Sequence, residues 1–124
     1  MLNNEAQACT NKLLLNPVSA ANTAAATSAW VSVQDAEGDI MFIVQSGALT
    51  GSLAWTIETA SDGAGTGAAA RTPNEGAFAT VVANQVQERS INKSNLLGFV
   101  RVVGTIVTGP VLVASSITYR QKYV

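Results

Sequence analysis

Leu53, Trp55 and Ile57 alternate with Ala54, Thr56 and Glu58, and a period of two is the mark of a strand that buries one face. Val31 and Val33 alternate with Ser32 and Gln34 in the same way, and the stretch predicts a strand that starts near Trp30. Ile40–Val44, IMFIV, is apolar at every position, the pattern of a strand covered on both faces. Between these two lies Asp35–Asp39, DAEGD, with the composition of a turn. Gly47–Gly51 then connects IMFIV to the Leu53 strand, and two strands so closely joined predict a hairpin. Ala77–Ala83 and Val86–Ile91 give two weaker strand signals. Phe99–Val107 is long and β-branched, with Gly104 expected at a bulge or bend. Thr108-Gly109-Pro110 predicts a turn and Val111–Tyr119 a last strand. About seven or eight strands at close spacing, without a sustained helical period, point to an all-β sandwich or barrel.

Two segments fall outside this pattern. Residues 1–28 are polar, Ala-rich and aperiodic, and Asn16-Pro17 imposes an extended or turn conformation there. They are expected to form an extended N-terminal arm, with residues 29–124 as the β-sandwich domain. Residues 61–76 are dominated by Gly, Ala and Thr around Arg71 and Pro73 and are expected to be a long surface loop.

Composition narrows the function. Charged residues make up only 12% of the 124 residues, about half the usual share. Much of the surface must therefore be Ala, Ser, Thr, Asn and Gly, which suits packing against other proteins. The net charge of −1 and scattered Lys and Arg give no basic face for phosphates, so no nucleic-acid partner is expected. No run approaches the roughly 20 apolar residues of a membrane span. Leu13–Leu15 is too short for the ~7–15-residue apolar core of a signal peptide. The Asn92-Lys93-Ser94 sequon therefore carries no weight.

Candidate chemistry is sparse. The chain has no histidine, and its one cysteine, Cys9, has neither a disulfide partner nor an activating imidazole. No cofactor and no metal is expected. Ser61-Asp62-Gly63 offers a single carboxylate where Ca²⁺ wants several oxygens at once, and Asp-Gly is a turn pair. Gly63, Gly65 and Gly67 lack the Lys-Ser/Thr of a phosphate loop. Asp35, Glu37 and Asp39 share one turn and are expected to be solvated. Without a nucleophile–base pair or a metal set, an enzyme is not expected. Trp55 belongs with Leu53 and Ile57 in the core, whereas Trp30 is freer and is expected at a subunit contact or, less simply, as a sugar platform.

The segments GDIMFIVQSGALTGSLAWTIETASDGAG and GFVRVVGTIVTGPVLVASSITY resemble stretches of small structural proteins of tailed bacteriophages. Those proteins show an apolar strand, a Gly-Ala loop, a Thr-alternating strand ending in Ser-Asp-Gly, and a late YVRV followed by β-branched residues; Phe99 stands here where Tyr is common. The resemblance covers roughly residues 29–120. It implies a single, jelly-roll-like β-sandwich and a non-enzymatic capsid decoration (cement) protein on the outer surface of the virion. Such a protein is a homo-oligomer, commonly a trimer, that clamps neighbouring subunits of the major capsid protein. A tail or head–tail joining protein of the same virion, or a carbohydrate-binding sandwich module, are the alternatives. Subunit or capsid contacts are expected at Leu13, Leu14, Leu15, Trp30, Arg71, Tyr119 and Tyr123.

Overall fold

The computed structural model describes residues 9–121 as eight strands: β1 (Cys9–Ala20), β2 (Val31–Ser32), β3 (Ala36–Ser46), β4 (Leu53–Ala60), β5 (Ala69–Arg71), β6 (Gln85–Asn92), β7 (Phe99–Ile106) and β8 (Val111–Gln121). They form two four-stranded antiparallel sheets, in the orders β1-β8-β3-β6 and β2-β7-β4-β5. Every connection except β4–β5 carries the chain from one sheet to the other. This winding is that of a jelly roll, two Greek keys closed face to face.

The alternation in the sequence sets which side chains fill the space between the sheets. From the first sheet come Ile40, Phe42 and Val44 on β3 and Val111, Val113, Ile117 and Tyr119 on β8; from the second come Leu53, Trp55 and Ile57 on β4 and Val100 and Val102 on β7, all buried. Gly104 is no bulge. The β4–β7 register runs unbroken, and Gly104 sits opposite Trp55. A Cβ there would meet Leu53, Ala26 and Trp55 at 3.0–3.2 Å, so the glycine makes room for the indole.

The expected arm is largely a strand. Cys9–Ala20 pairs along β8, and Leu14 and Leu15 are both buried. Consecutive leucines can both face inward because the register shifts between Leu13 and Leu15 and again before Val18. The same shifts erase the period of two that would have marked the strand. Residues 21–28 also belong to the sandwich: Ala26 O accepts from Gly104 N–H, and Ser28 N–H donates to Val102 O, each at 3.0 Å. Residues 1–8 lie outside the described residues.

Other expectations change for topological reasons. The Gly47–Gly51 connection is not a hairpin, since β3 and β4 lie in different sheets. IMFIV is flanked by β8 and β6 within its sheet, but only one face is covered: Met41 is 40% exposed between buried Ile40 and Phe42. The DAEGD turn is shorter than expected. β3 begins at Ala36, and its irregular register against β8 includes Gly38 at φ 71°. Ala77–Ala83 is a loop with one backbone bridge to a strand, where Leu53 and Val81 exchange hydrogen bonds of 3.0 and 2.8 Å. The expected loop 61–76 contains the short strand β5.

Candidate functional site

The outward face of the first sheet collects the largest share of exposed apolar surface. Leu13 on β1, Met41 on β3, Val86 on β6 and Leu112 on β8 stand 59, 40, 60 and 61% exposed. Registers align them with Ile43, Ala114, Ser116 and Thr118 on the same face. Charge on this face is limited to Glu88 on β6 and, at the end where β1 begins, to Asp39 and the Arg120–Glu37 pair at 3.3 Å. At the opposite end a groove of about 760 Å³ crosses all four strands, floored by Val18, Val86, Leu112 and Ala114, and no charged residue lines it. The arrangement offers van der Waals contact and desolvation rather than chemistry.

The other expected contact residues are dispersed. Trp30 is half-buried and already engaged: the Arg101 guanidinium lies 4.5 Å from its ring centroid, and Gly65 packs against its indole so closely that a Cβ would come within 3.0 Å of Nε1. Arg101 is held in turn by Glu58 at 2.7 Å. A ring so covered is a poor sugar platform. Arg71 borders a separate cleft of about 410 Å³ beside Ser94 and Asn95, and its Nε donates to Asn95 O at 3.0 Å. Tyr119 is not a surface residue. It is 2% exposed, and its hydroxyl donates to Asp35 Oδ1 at 2.7 Å. Burial first, then that hydrogen bond and the Asp35 charge, push the phenol well above its usual range. Leu14 and Leu15 are core and Leu13 is exposed, so the leucine run divides between the two sides of β1. Tyr123 lies outside the described residues.

Asp62 is a turn residue, as its Asp-Gly context implies. Its Oδ1 accepts from the N–H of Ala64 at 2.9 Å and of Thr66 at 3.1 Å. Hydrogen bonds from Thr66, side chain and then backbone, followed by Ala64, hold its carboxyl below the usual range. Among the described residues no group of three or more His, Cys, Asp or Glu could hold a metal ion.

Val86 and Leu112 were not singled out in the sequence. Their signal was present: in VLVASSITY, Leu112 falls on the face opposite Val111, Val113 and Ile117. Only the sheet order, with β3 between β8 and β6, brings it into one groove with Val86, 26 positions earlier in the chain.

No family model matches the chain, and no curated protein matches it in sequence. Solved structures share its fold. The SPBc2 prophage-derived protein YomS superposes with a TM-score of 0.52 at 9% identity, over 89% of this chain and 92% of that one. A pilus protein of Bacillus endospore appendages gives 0.43 at 14% identity, over 92% and 89% of the two chains. VP2 of infectious bursal disease virus, in a subviral particle, gives 0.48 at 12% identity; it matches 89% of this chain, which spans only 31% of VP2. At these identities the likeness is one of fold.

Proposed function

We propose that this protein is a non-enzymatic structural component of a tailed-phage virion, a decoration or cement protein bound to the outer surface of the capsid shell. The observation that carries the reading is the outward face of the first sheet, where Leu13, Met41, Val86 and Leu112 stand exposed and the groove at one end is lined by no charged residue. The sequence resemblance over residues 29–120 and a sandwich fold like that of a prophage protein support it. A clamp of this kind needs no catalysis. It holds by burying apolar surface on the major capsid protein, and several copies acting together turn modest contacts into tight retention.

The test uses shells assembled from the major capsid protein of the same phage. Purified protein should co-sediment with the shells and raise the temperature at which they release their contents. Leu112→Lys or Val86→Lys, each placing a charge in the uncharged groove, should weaken binding by about tenfold, the equivalent of ~1.4 kcal/mol, with the fold unchanged by circular dichroism. Absence of binding to the shells, or binding indifferent to both substitutions, would count against the role or against this face.

A further inference from the structure

The cleft beside Arg71 differs in character from the groove and lies at the opposite end of the sandwich. Strand β6 links the two. Gln85 and Val86 at its start line the groove, while Ile91 near its end, with Ser94 and Asn95 of the 3₁₀ turn Lys93–Asn95 that follows, line the cleft. Val86 and Ile91 stand about 17 Å apart along the strand. Arg71 pairs with buried Ile57, so its side chain starts toward the gap between the sheets. From there the guanidinium reaches across that gap: Nε donates to Asn95 O at 3.0 Å and Nη1 to Ala70 O at 3.1 Å. Two backbone carbonyls thus fix the planar fork in place. Its Nη2 takes part in no hydrogen bond or ion pair among the described residues.

Carboxylates on neighbouring segments are engaged elsewhere: Glu58 with Arg101 at 2.7 Å, Asp39 with Asn92 at 3.1 Å and Glu75 with Ser90 at 2.7 Å. None of them lines the cleft, which leaves it with the positive charge of Arg71 alone. Its apolar side is made by Ile91 and Leu96, both buried, and by Leu97, which is 38% exposed. Such a site selects among ligand classes. A pre-oriented guanidinium matches the two oxygens of a carboxylate, and the leucines take an aliphatic side chain. A sugar would find no ring to stack on, since no aromatic residue lines the cleft. A nucleic-acid backbone needs a basic face, and this chain carries a net charge of −1.

We infer that this cleft is a docking site for an acidic segment of a partner protein, with one carboxylate seated on Arg71 and a neighbouring aliphatic side chain against Leu96 and Leu97. The charge complementarity carries the assignment. Because the groove and the cleft lie at opposite ends of β6, one copy can hold two partners at once through contacts of unlike chemistry. The inference stands or falls independently of binding to a shell.

The probe is the capped peptide acetyl-Leu-Gly-Glu-Gly-Leu-amide, whose leucines share a face with the glutamate when extended. It is titrated into isotope-labelled full-length protein up to about 10 mM, a range that covers dissociation constants near ~1 mM. Nuclear magnetic resonance should show saturable shifts of the Asn95, Leu96 and Leu97 amides and of the Arg71 Nε–H. The glutamine analogue, which lacks the charge, and sodium acetate, which lacks the aliphatic contacts, should each bind about tenfold more weakly. Arg71→Gln should abolish the response. Leu97→Asp leaves the two carbonyl partners of Arg71 in place and adds a competing carboxylate, so it should weaken binding by about tenfold or more. Leu112→Lys, in the groove, should leave it unchanged. Absence of saturable shifts, equal binding of the glutamine analogue, or full binding by Arg71→Gln or Leu97→Asp would overturn the inference. Acetate binding as tightly as the peptide would make the cleft a simple anion site and overturn it too.

Discussion

Thr59 is fully buried near the end of β4, and its hydroxyl joins the sandwich core to the segment that leads into β7. Oγ1 donates to Phe99 O at 2.9 Å and accepts from Leu97 N–H at 2.8 Å. Thr59→Val keeps the shape and β-branching and removes both bonds. Leaving the Leu97 N–H without an acceptor costs about 1–3 kcal/mol, and the lost bond to Phe99 adds about 0.5–1.5 kcal/mol. A net loss of about 2–3 kcal/mol is expected, after an offset for the better burial of a methyl group. Thr59→Ser keeps both hydrogen bonds and deletes one methyl, for about 1 kcal/mol. At roughly 2.1 cal/mol/K of unfolding entropy per residue, this 124-residue chain loses about 4 °C of melting temperature per kcal/mol. The valine variant should therefore melt about 8–12 °C below wild type and the serine variant about 4 °C below. Circular dichroism melts with urea titrations at fixed pH read this directly. Valine favours strands at least as well as threonine, so propensity does not supply the predicted sign. A valine variant as stable as the serine variant would show that the two hydrogen bonds do not hold the β6–β7 connection in place.

Two further outcomes follow from packing and from charge. Gly104→Ala should cost about 1–3 kcal/mol in urea unfolding, because its Cβ would meet three core side chains at 3.0–3.2 Å. Combining it with Trp55→Phe should cost less than the sum of the two single changes, since the indole Cζ3 is one of the atoms displaced. Acid should destabilise the fold through Glu75 and Asp62. The N–H and hydroxyl of Ser90 hold Glu75 below its ordinary 4.5, and the Thr66 and Ala64 bonds hold Asp62 below 3.8. A carboxyl depressed in the folded state contributes stability that is full above its unfolded value and is lost as pH falls through its folded one. Urea midpoints should hold above about pH 5 and decline below 4.5, and Glu75→Gln should flatten the upper part of that decline. Asp62→Asn, which keeps the turn acceptor, should be nearly neutral at pH 7.

The fold class was legible because most of this chain obeys the period of two. Every other residue from Leu53 to Ile57, from Val111 to Val113 and from Ile117 to Tyr119 faces inward, as the alternation in the sequence implies. Trp55 and Asp62 were placed correctly for local reasons, one by its apolar partners at i±2 and the other by the glycine after it. Sheet membership was not legible. Gly47–Gly51 has the length and glycines of a hairpin loop, and nothing in five residues distinguishes a connection that reverses within a sheet from one that crosses to the opposite sheet. That choice is made by long-range pairing, β3 with β8 and β4 with β7. The exposed apolar residues of the outward face were hidden for the same reason, since Leu13, Met41, Val86 and Leu112 are seen to share one face only when the strand order is known.

The misreading of the N-terminal segment has a different origin. In an interior strand, both neighbours and the core enforce regular alternation. β1 has a neighbour on one side only, and its two register shifts let Leu14 and Leu15 both turn inward while Leu13 points out. The irregularity that makes residues 9–20 look like an arm in the sequence is thus a property of an edge strand. Proline and bulges are also the devices by which a sheet limits unwanted pairing at its edge. Here they are concentrated from Leu13 to Val18, leaving Cys9–Leu13 in regular register with β8 and, among the described residues, without a backbone partner on its other side. The opposite edge of the same sheet is covered by hydrogen bonds to Glu75 and from Gln87, and β6 there keeps the period of two that β1 loses, with Gln87 and Ile91 turned inward and Val86 and Glu88 exposed.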